Sequence, residues 1–227
     1  MDIDGPSFRL LRANRLFAGM TDTAIAECAK QFTLLHARRG QQLFCQGDAC
    51  NQVYFLLRGC VRVARLAEDG SEFTIRLVGC DQVFGEDSIF DKAAFSSTAT
   101  PLSDGITAVC CVTRMKALLM RHPLLSMNIA QCLREDHERT LNRLEQISHK
   151  PVRERLLTLL KELAPHYGTG EMQGGAYEVK LTHAEIASLI GSTRETVSSE
   201  LSKLARAGVV SRRRRKIVIN AAIEEAA

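Results

Sequence analysis

Hydrophobic positions change rhythm along the chain. Over residues 1–30, Leu16, Phe17, Met20, Ile25 and Cys28 recur near helical spacing, and Thr21 or Asp22 can cap the second helical segment. From about 31 to 115, short runs rich in Val, Ile, Phe and Leu alternate with Gly40, Gly47, Gly59, Gly70, Gly79 and Gly85. The strand-like runs are QQLFCQGD, QVYFLLRGCVRVARL, EFTIRLVG and ITAVCCV. Short strands evenly spaced between glycine turns predict a sandwich or barrel. EDG at 68–70 fits a hairpin turn between VRVARLA and SEFTIRLV.

Helical spacing returns from about 113 to 148, with Pro123 a candidate interruption. Ala130, Leu133, His137, Thr140, Leu144 and Ile147 follow the 3-4-3-4-3 spacing of a heptad seam. Core packing against the barrel is the plain alternative. His137 and Thr140 make the middle of the stripe polar, which suits a partner helix, or a ligand, better than a sealed core. HKPV at 149–152 ends this helix, because Pro151 disfavours helix at Lys150; a hinge is expected there. A helix over 152–164, a glycine-rich loop or hairpin at 167–177 and helices from 182 on complete the chain.

The sharpest local pattern is LTHAEIASLIGSTRETVSSELSKLARAGVVSRRRRKIVI, residues 181–219. Thr182 and Glu185 form a capping box, and Ile186, Leu189 and Ile190 give the helix its inner face. Gly191 stands where a left-handed residue must end that helix. Ser192 or Thr193 caps a second helix with inner face Val197, Leu201 and Leu204, ended by Gly208. Two short helices joined by a tight glycine turn make a helix-turn-helix. In that motif the start of the second helix meets base edges in the major groove. The base-reading candidates are therefore Arg194, Glu195, Ser198 and Ser199. Arg pairs with guanine O6 and N7 and Glu accepts from cytosine N4, so a half-site containing a G·C pair follows. A surface Arg–Glu pair of little energetic worth is the alternative reading; caps, turn and inner face together favour DNA.

VVSRRRRKIVI reads as a two-stranded wing. Thr182, Thr193, Thr196 and Lys203, with Arg212, Arg213, Arg214, Arg215 and Lys216 at the wing tip, are the expected phosphate contacts. Charge supports this. The whole chain carries +4, yet residues 194–216 hold eight Lys/Arg against two Glu. A solvated face explains most isolated charge runs, but a basic cluster on this motif is the footprint of a phosphate-binding surface.

Composition adds less. Hydrophobic residues make up 45% and aromatics 5%, with no Trp, so aliphatic side chains supply most of the core. The chain begins acidic, lacks an uninterrupted apolar signal core and has no apolar run near the roughly 20 residues that span a bilayer. A cytoplasmic location without membrane partners is expected, with the eight cysteines reduced. No Walker loop, HExxH, G-x-S-x-G or convincing carboxylate pair occurs, so no catalytic residue is assigned and an enzyme is not expected.

With these motifs in place, the chain resembles the CRP/FNR superfamily over nearly its whole length. STRETVSSEL with a basic wing is similar to that family's recognition helix. GQQLFCQGD at 40–48, YFLLRGCVRV at 54–63 and VFGE at 83–86 resemble its cyclic-nucleotide-binding barrel. The resemblance implies an α+β fold: an N-terminal β-roll (a cupin-like, jelly-roll barrel), a long central dimerisation helix and a C-terminal winged helix-turn-helix. Expected boundaries are 1–115, 116–150 and 151–227. It also implies a homodimer on palindromic double-stranded DNA that recruits or blocks RNA polymerase. One departure stands in the recognition helix: where family members usually carry Arg-Glu-x-x-x-Arg, the last position here is Ser199, and Lys203 is a candidate to supply the cation instead.

The signal sensed is less defined. The resemblance implies an effector pocket of Gly85, Glu86, Asp87, Ser96, Ser97, Arg139 and Thr140. In cyclic-AMP-binding relatives a Glu at the position of Glu86 holds the ribose hydroxyl, and an Arg-Ser pair holds the cyclic phosphate. Here AAFSSTAT places Ser96 where that Arg would stand and Ser97 on the Ser. Without a charge-assisted bond to the phosphate, cyclic AMP is disfavoured. An iron–sulfur cluster of the FNR kind is disfavoured too, because the first cysteine is Cys28 and no C-x-x-C occurs. Cys110 lies near that type's barrel cysteine, but Cys110 and Cys111 are adjacent on a strand and point to opposite faces. The histidines show no metal-type clustering, so no metal residue is assigned; haem stays open, since one axial ligand can come from almost anywhere. The cofactor is thus unassigned. Control by a small effector or redox signal is expected, with binding of DNA without any effector, or a cyclic-AMP response, as alternatives.

Overall fold

The computed structural model describes residues 6–68, 70, 72–90, 92–167, 171–172, 176–179, 181–213, 216–220 and 223. The chain divides into two compact units, Met1–Ser71 with Arg76–Glu138, and Glu72–Ile75 with Arg139–Ala227. The fold is α+β: a jelly-roll-like β-domain, a long helix and a helix-turn-helix with a wing.

The first unit opens with α1 (Pro6–Ala13), a 3-10 turn over Arg15–Phe17 and α2 (Asp22–Ala29). Of the two caps considered for α2, Thr21 is the one used; its hydroxyl accepts from the Ala24 N–H. The strands follow: β1 (Thr33–Ala37), β2 (Gln52–Arg58), β3 (Val61–Leu66), β4 (Glu72–Val78), β5 (Gln82–Phe84), β6 (Thr98–Pro101) and β7 (Gly105–Cys111). Among the described residues, one sheet runs β1-β7-β2-β5 and the other β4-β3-β6. The division between units falls within β4. Asp69 of the expected EDG turn lies outside the described residues; Gly70 adopts φ +81°, as a tight turn requires.

β2 is buried over Val53–Leu56 without alternation, because both of its faces are covered. On one face Val53 and Phe55 join Val83, Ala108 and Cys110 beneath Leu11, Leu16, Phe17 and Ile25 of the N-terminal helices. Met115 and Leu118 of α3 (Val112–Arg121), with Leu125, Ile129 and Cys132 of α4 (Pro123–His149), close the same core. On the other face Tyr54 and Phe84 stack with Phe44 and Phe95; the Phe44 and Phe95 ring centroids are 3.9 Å apart. QQLFCQGD, expected as a strand, forms only an isolated bridge, Phe44 with Ala99. The turn at Gly47, φ +92°, leaves too short a run to build a ladder.

Pro123 does interrupt the helical stretch, which bends at His122 between α3 and α4. α4 ends at His149 and α5 (Val152–Tyr167) begins after Lys150 and Pro151. In the second unit α6 (His183–Ile190) and α7 (Arg194–Arg206) pack on α5 through Leu156, Leu160, Ile186, Ile190, Val197, Leu201 and Leu204, all buried. The wing strands β10 (Val210–Arg213) and β11 (Lys216–Ile219) pair in antiparallel register, Arg213 opposite Lys216. The expected two-stranded wing is part of a larger sheet. β8 (Glu171–Met172) and β9 (Ala176–Val179) extend it in the order β10-β11-β9-β8, with Val179 opposite Ile217.

Candidate nucleic-acid interface and sensor site

Each step of the α6–turn–α7 element has a local cause. Thr182 accepts from the Glu185 N–H at 3.2 Å, and the Glu185 carboxylate accepts from the Thr182 N–H at 2.6 Å. Gly191 takes φ +61°, ψ +54°, which lets the chain leave α6 in one residue. Arg155, on α5, donates to the carbonyl oxygens of Ile190 at 2.5 Å and Gly191 at 3.2 Å. A guanidinium there meets the negative end of α6 and pins the turn. Thr193, not Ser192, caps α7, accepting from the Thr196 N–H at 3.2 Å.

Val197, Leu201 and Leu204 fill the inner face of α7, so its outer face is fixed by elimination. Arg194, Glu195, Ser199 and Lys203 are exposed on it. Ser198 is half-buried, and its hydroxyl lies 2.6 Å from His183 Nδ1. This contact ties the two helices together. Lys203, the candidate cation in place of an Arg at position 199, pairs with Glu200 at 2.6 Å. Thr193 and Thr196 exchange a hydroxyl contact at 2.9 Å. Arg212, Arg213 and Lys216 lie on the wing strands; Arg214 and Arg215 fall outside the described residues.

On α4, Ala130, His137, Thr140, Leu144 and Ile147 are exposed, whereas Leu133 is half-buried against the barrel core. Leu141 and Leu144 are each more than half exposed, and Leu124 and Met127 extend the apolar stripe upstream.

Most of the residues expected to form an effector pocket gather around the loop after β5. Gly85 adopts φ +70°, and a Cβ there would come within 3.0 Å of Tyr54 and 3.3 Å of Phe95. Glu86 next to it is engaged: Arg76 of β4 donates to both its carboxylate oxygens, at 3.0 and 3.1 Å. The same guanidinium reaches the Val83 carbonyl at 3.1 Å and forms an ion pair with Asp136 of α4. Gln82 adds a bond from its amide nitrogen to Asp136 at 3.0 Å. Asp87 accepts from the Ser96 hydroxyl at 2.5 Å and its N–H at 3.4 Å, and pairs with Lys92 at 3.1 Å. Burial works against the Asp87 charge, but the Ser96 bonds and the Lys92 ammonium outweigh it and hold this carboxyl below the ordinary aspartate range. Ser97 is buried. Arg139 and Thr140 are exposed on the part of α4 that belongs to the second unit.

Arg76 and Asp136 were not expected from the sequence, although a signal existed. Arg76 shares the face of β4 defined by Thr74 and Val78, both buried. Asp136 continues the core stripe Leu125, Ile129, Cys132 by one further turn. A charge at an inward-facing position needs a partner, and each is the other's. Among the cysteines, burial pushes Cys28 up to about 11 and Cys110 up to about 12, the latter with help from Cys111. Among the described residues, no three His, Cys, Asp or Glu side chains converge as metal ligands, and no helix is long and apolar enough to cross a membrane.

A β-roll of the nucleotide-binding type joined to a winged helix-turn-helix defines a class of DNA-binding transcription regulator. Residues 34–122 match the cyclic nucleotide-binding domain family, and residues 154–222 the Crp-like helix-turn-helix domain family. The chain is 31% identical over 207 residues to the CRP-like cAMP-activated global transcriptional regulator of Mycobacterium tuberculosis, spanning 90% of this chain and 92% of that protein. It is 30% identical over 187 residues to the global nitrogen regulator of Synechocystis, spanning 80% and 82% respectively. A solved CRP-family transcriptional regulator from Thermus thermophilus superposes with a TM-score of 0.74 at 26% identity, covering 84% of this chain and 95% of that one. The chain belongs to the CRP/FNR family of transcription regulators.

Proposed function

We propose that the protein acts as a cytoplasmic homodimer on a twofold-symmetric operator, each protomer laying the start of α7 in a major groove. The observation that carries this reading is the geometry of α7: Arg194 and Glu195 stand exposed at its first turn, backed by fully buried Val197 and Leu204. Arg194 and Glu195 read base edges, with Ser199 one turn on; Ser198 positions α7 through His183. Thr182, Thr193, Thr196, Lys203 and the basic wing hold phosphates. The exposed stripe Leu141, Leu144 and Ile147, with Ala130, His137 and Thr140, supplies the seam for the second copy. A bound dimer then contacts RNA polymerase to raise or block transcription.

Of the modes of control, binding of DNA without an effector is favoured by one observation. Asp87 already takes both donors of Ser96, the residue that stands in the phosphate-binding segment. A second anion there would find both Ser96 donors taken and a carboxylate in place, with Lys92 already paired to that carboxylate and Arg65 bonded to the Ser96 carbonyl at 3.1 Å. The test is selection from a randomised duplex pool by the full-length protein with no added ligand. Recovery of a palindrome containing a G·C pair in each half-site is expected. Enrichment of no sequence, or of a single asymmetric half-site, contradicts the proposal.

A further inference from the structure

We propose that Arg76 is a built-in tie that fastens the β-roll to α4, doing from within the chain what a bound effector would otherwise do at this site. The inference deepens the effector-free reading above and rests on it.

Four segments meet at one guanidinium: β4 through Arg76 itself, β5 through the Val83 carbonyl, the following turn through Glu86, and α4 through Asp136. Gln82 braces the same aspartate from β5 and is itself held by the Gly79 N–H at 2.6 Å. The site is sheltered. Side-chain exposure is 16% for Arg76, 11% for Asp136 and 27% for Glu86. At that depth an ion pair is expensive to break, because the surviving charge is left without its partner in a poorly hydrated place. Arg76 also neutralises Glu86 and spans its two oxygens. A ribose hydroxyl would have to compete with a charge-assisted bond for the same acceptor. A few residues away, Ser96 gives its hydroxyl and N–H to Asp87. Both polar ends of the site are thus satisfied by the chain, and the aromatic stack of Phe44, Tyr54, Phe84 and Phe95 fills the roll beside it. The apolar face of α4 rests on the core at the opposite face of β2, through Leu125, Ile129 and Cys132. Asp136, one turn further along, is where that contact turns from apolar to ionic.

The test uses full-length Arg76→Gln, Asp136→Asn and the double variant, with the duplex selected by the wild type. The near-isosteric Asp136→Asn guards against simple misfolding. Each single change is expected to speed amide exchange over residues 131–138 about tenfold and to weaken operator binding by a similar factor, with the double variant no worse than the poorer single. Cyclic AMP added to the wild type is expected to leave its operator affinity within about twofold. Exchange over 131–138 judges the tie whatever the DNA result. Unchanged protection in both single variants overturns it, as do fully additive losses in the double. A wild type whose operator binding tightens about tenfold with cyclic AMP overturns the claim that the site is self-satisfied. A wild type that binds no duplex sinks the DNA-binding reading and leaves the exchange comparison standing.

Discussion

At the scale of single residues, the chemistry is set by which polar groups find partners inside the chain. Glu195 is exposed and unburdened by burial, so Glu195→Ala is expected to relax base choice at one operator position, at a cost of about 1–3 kcal/mol for the preferred base. Binding to a panel of single-base operator variants measures it, and unchanged selectivity contradicts the assignment. Asp87 gives a pH dependence. Its folded value lies below the ordinary aspartate range, so its bonds to Ser96 and Lys92 stabilise the fold above that range. That contribution fades as pH falls through the folded value. Denaturant melts between about pH 3 and 7 are therefore expected to show a shallower acid limb for Asp87→Asn than for the wild type. The cysteines divide in the same way. Cys80 and Cys111 are exposed, whereas Cys28 and Cys110 are buried with raised values. Alkylation of the native protein should label the first two and spare the second pair, since only an accessible thiolate reacts.

At the scale of elements, the helix-turn-helix is held by caps at both ends of α6 and at the start of α7. Thr193→Ala removes a cap and is expected to cost about 1 kcal/mol, while Leu201→Ala empties a core position and costs about 2–5 kcal/mol. Chemical unfolding compares the two. This element was legible from sequence because its determinants are local. The Thr182–Glu185 box, the left-handed Gly191 and the spacing of Val197, Leu201 and Leu204 all lie within one turn of what they specify. Elements defined by distant partners were less legible. The hairpin alternative at 167–177 corresponds to the pairing of β8 with β9, but the joining of β9 to the edge of β11 is announced by no property of residues 171–179. QQLFCQGD has strand-like composition, yet Gly47 and the geometry around Ala99 leave it one bridge. The tie of Arg76 to Asp136 joins residues sixty positions apart. Only the oddity of a charge on each inward face hinted at it. The contact of Ser198 with His183 joins residues fifteen positions apart on two helices, and no local pattern announces it.

At the scale of the whole molecule, the family membership follows from both halves together. In the proposed function two copies act as one. Leu144 is more than half exposed on α4, so Leu144→Glu is expected to give monomers by sedimentation and to abolish tight operator binding. In the proposed function the basic wing contributes without reading sequence. Arg213→Ala should weaken binding evenly across operators and reduce the slope of log affinity against log salt by about 1. A change of preferred sequence would contradict that role.

The most direct measurement is sedimentation of the full-length protein, free of added ligand, with the duplex it selects from a random pool. Two protomers on each palindromic duplex, held with a preference of about a thousandfold over scrambled sequence, is the result expected. A single protomer per duplex, or equal affinity for scrambled DNA, would contradict the account.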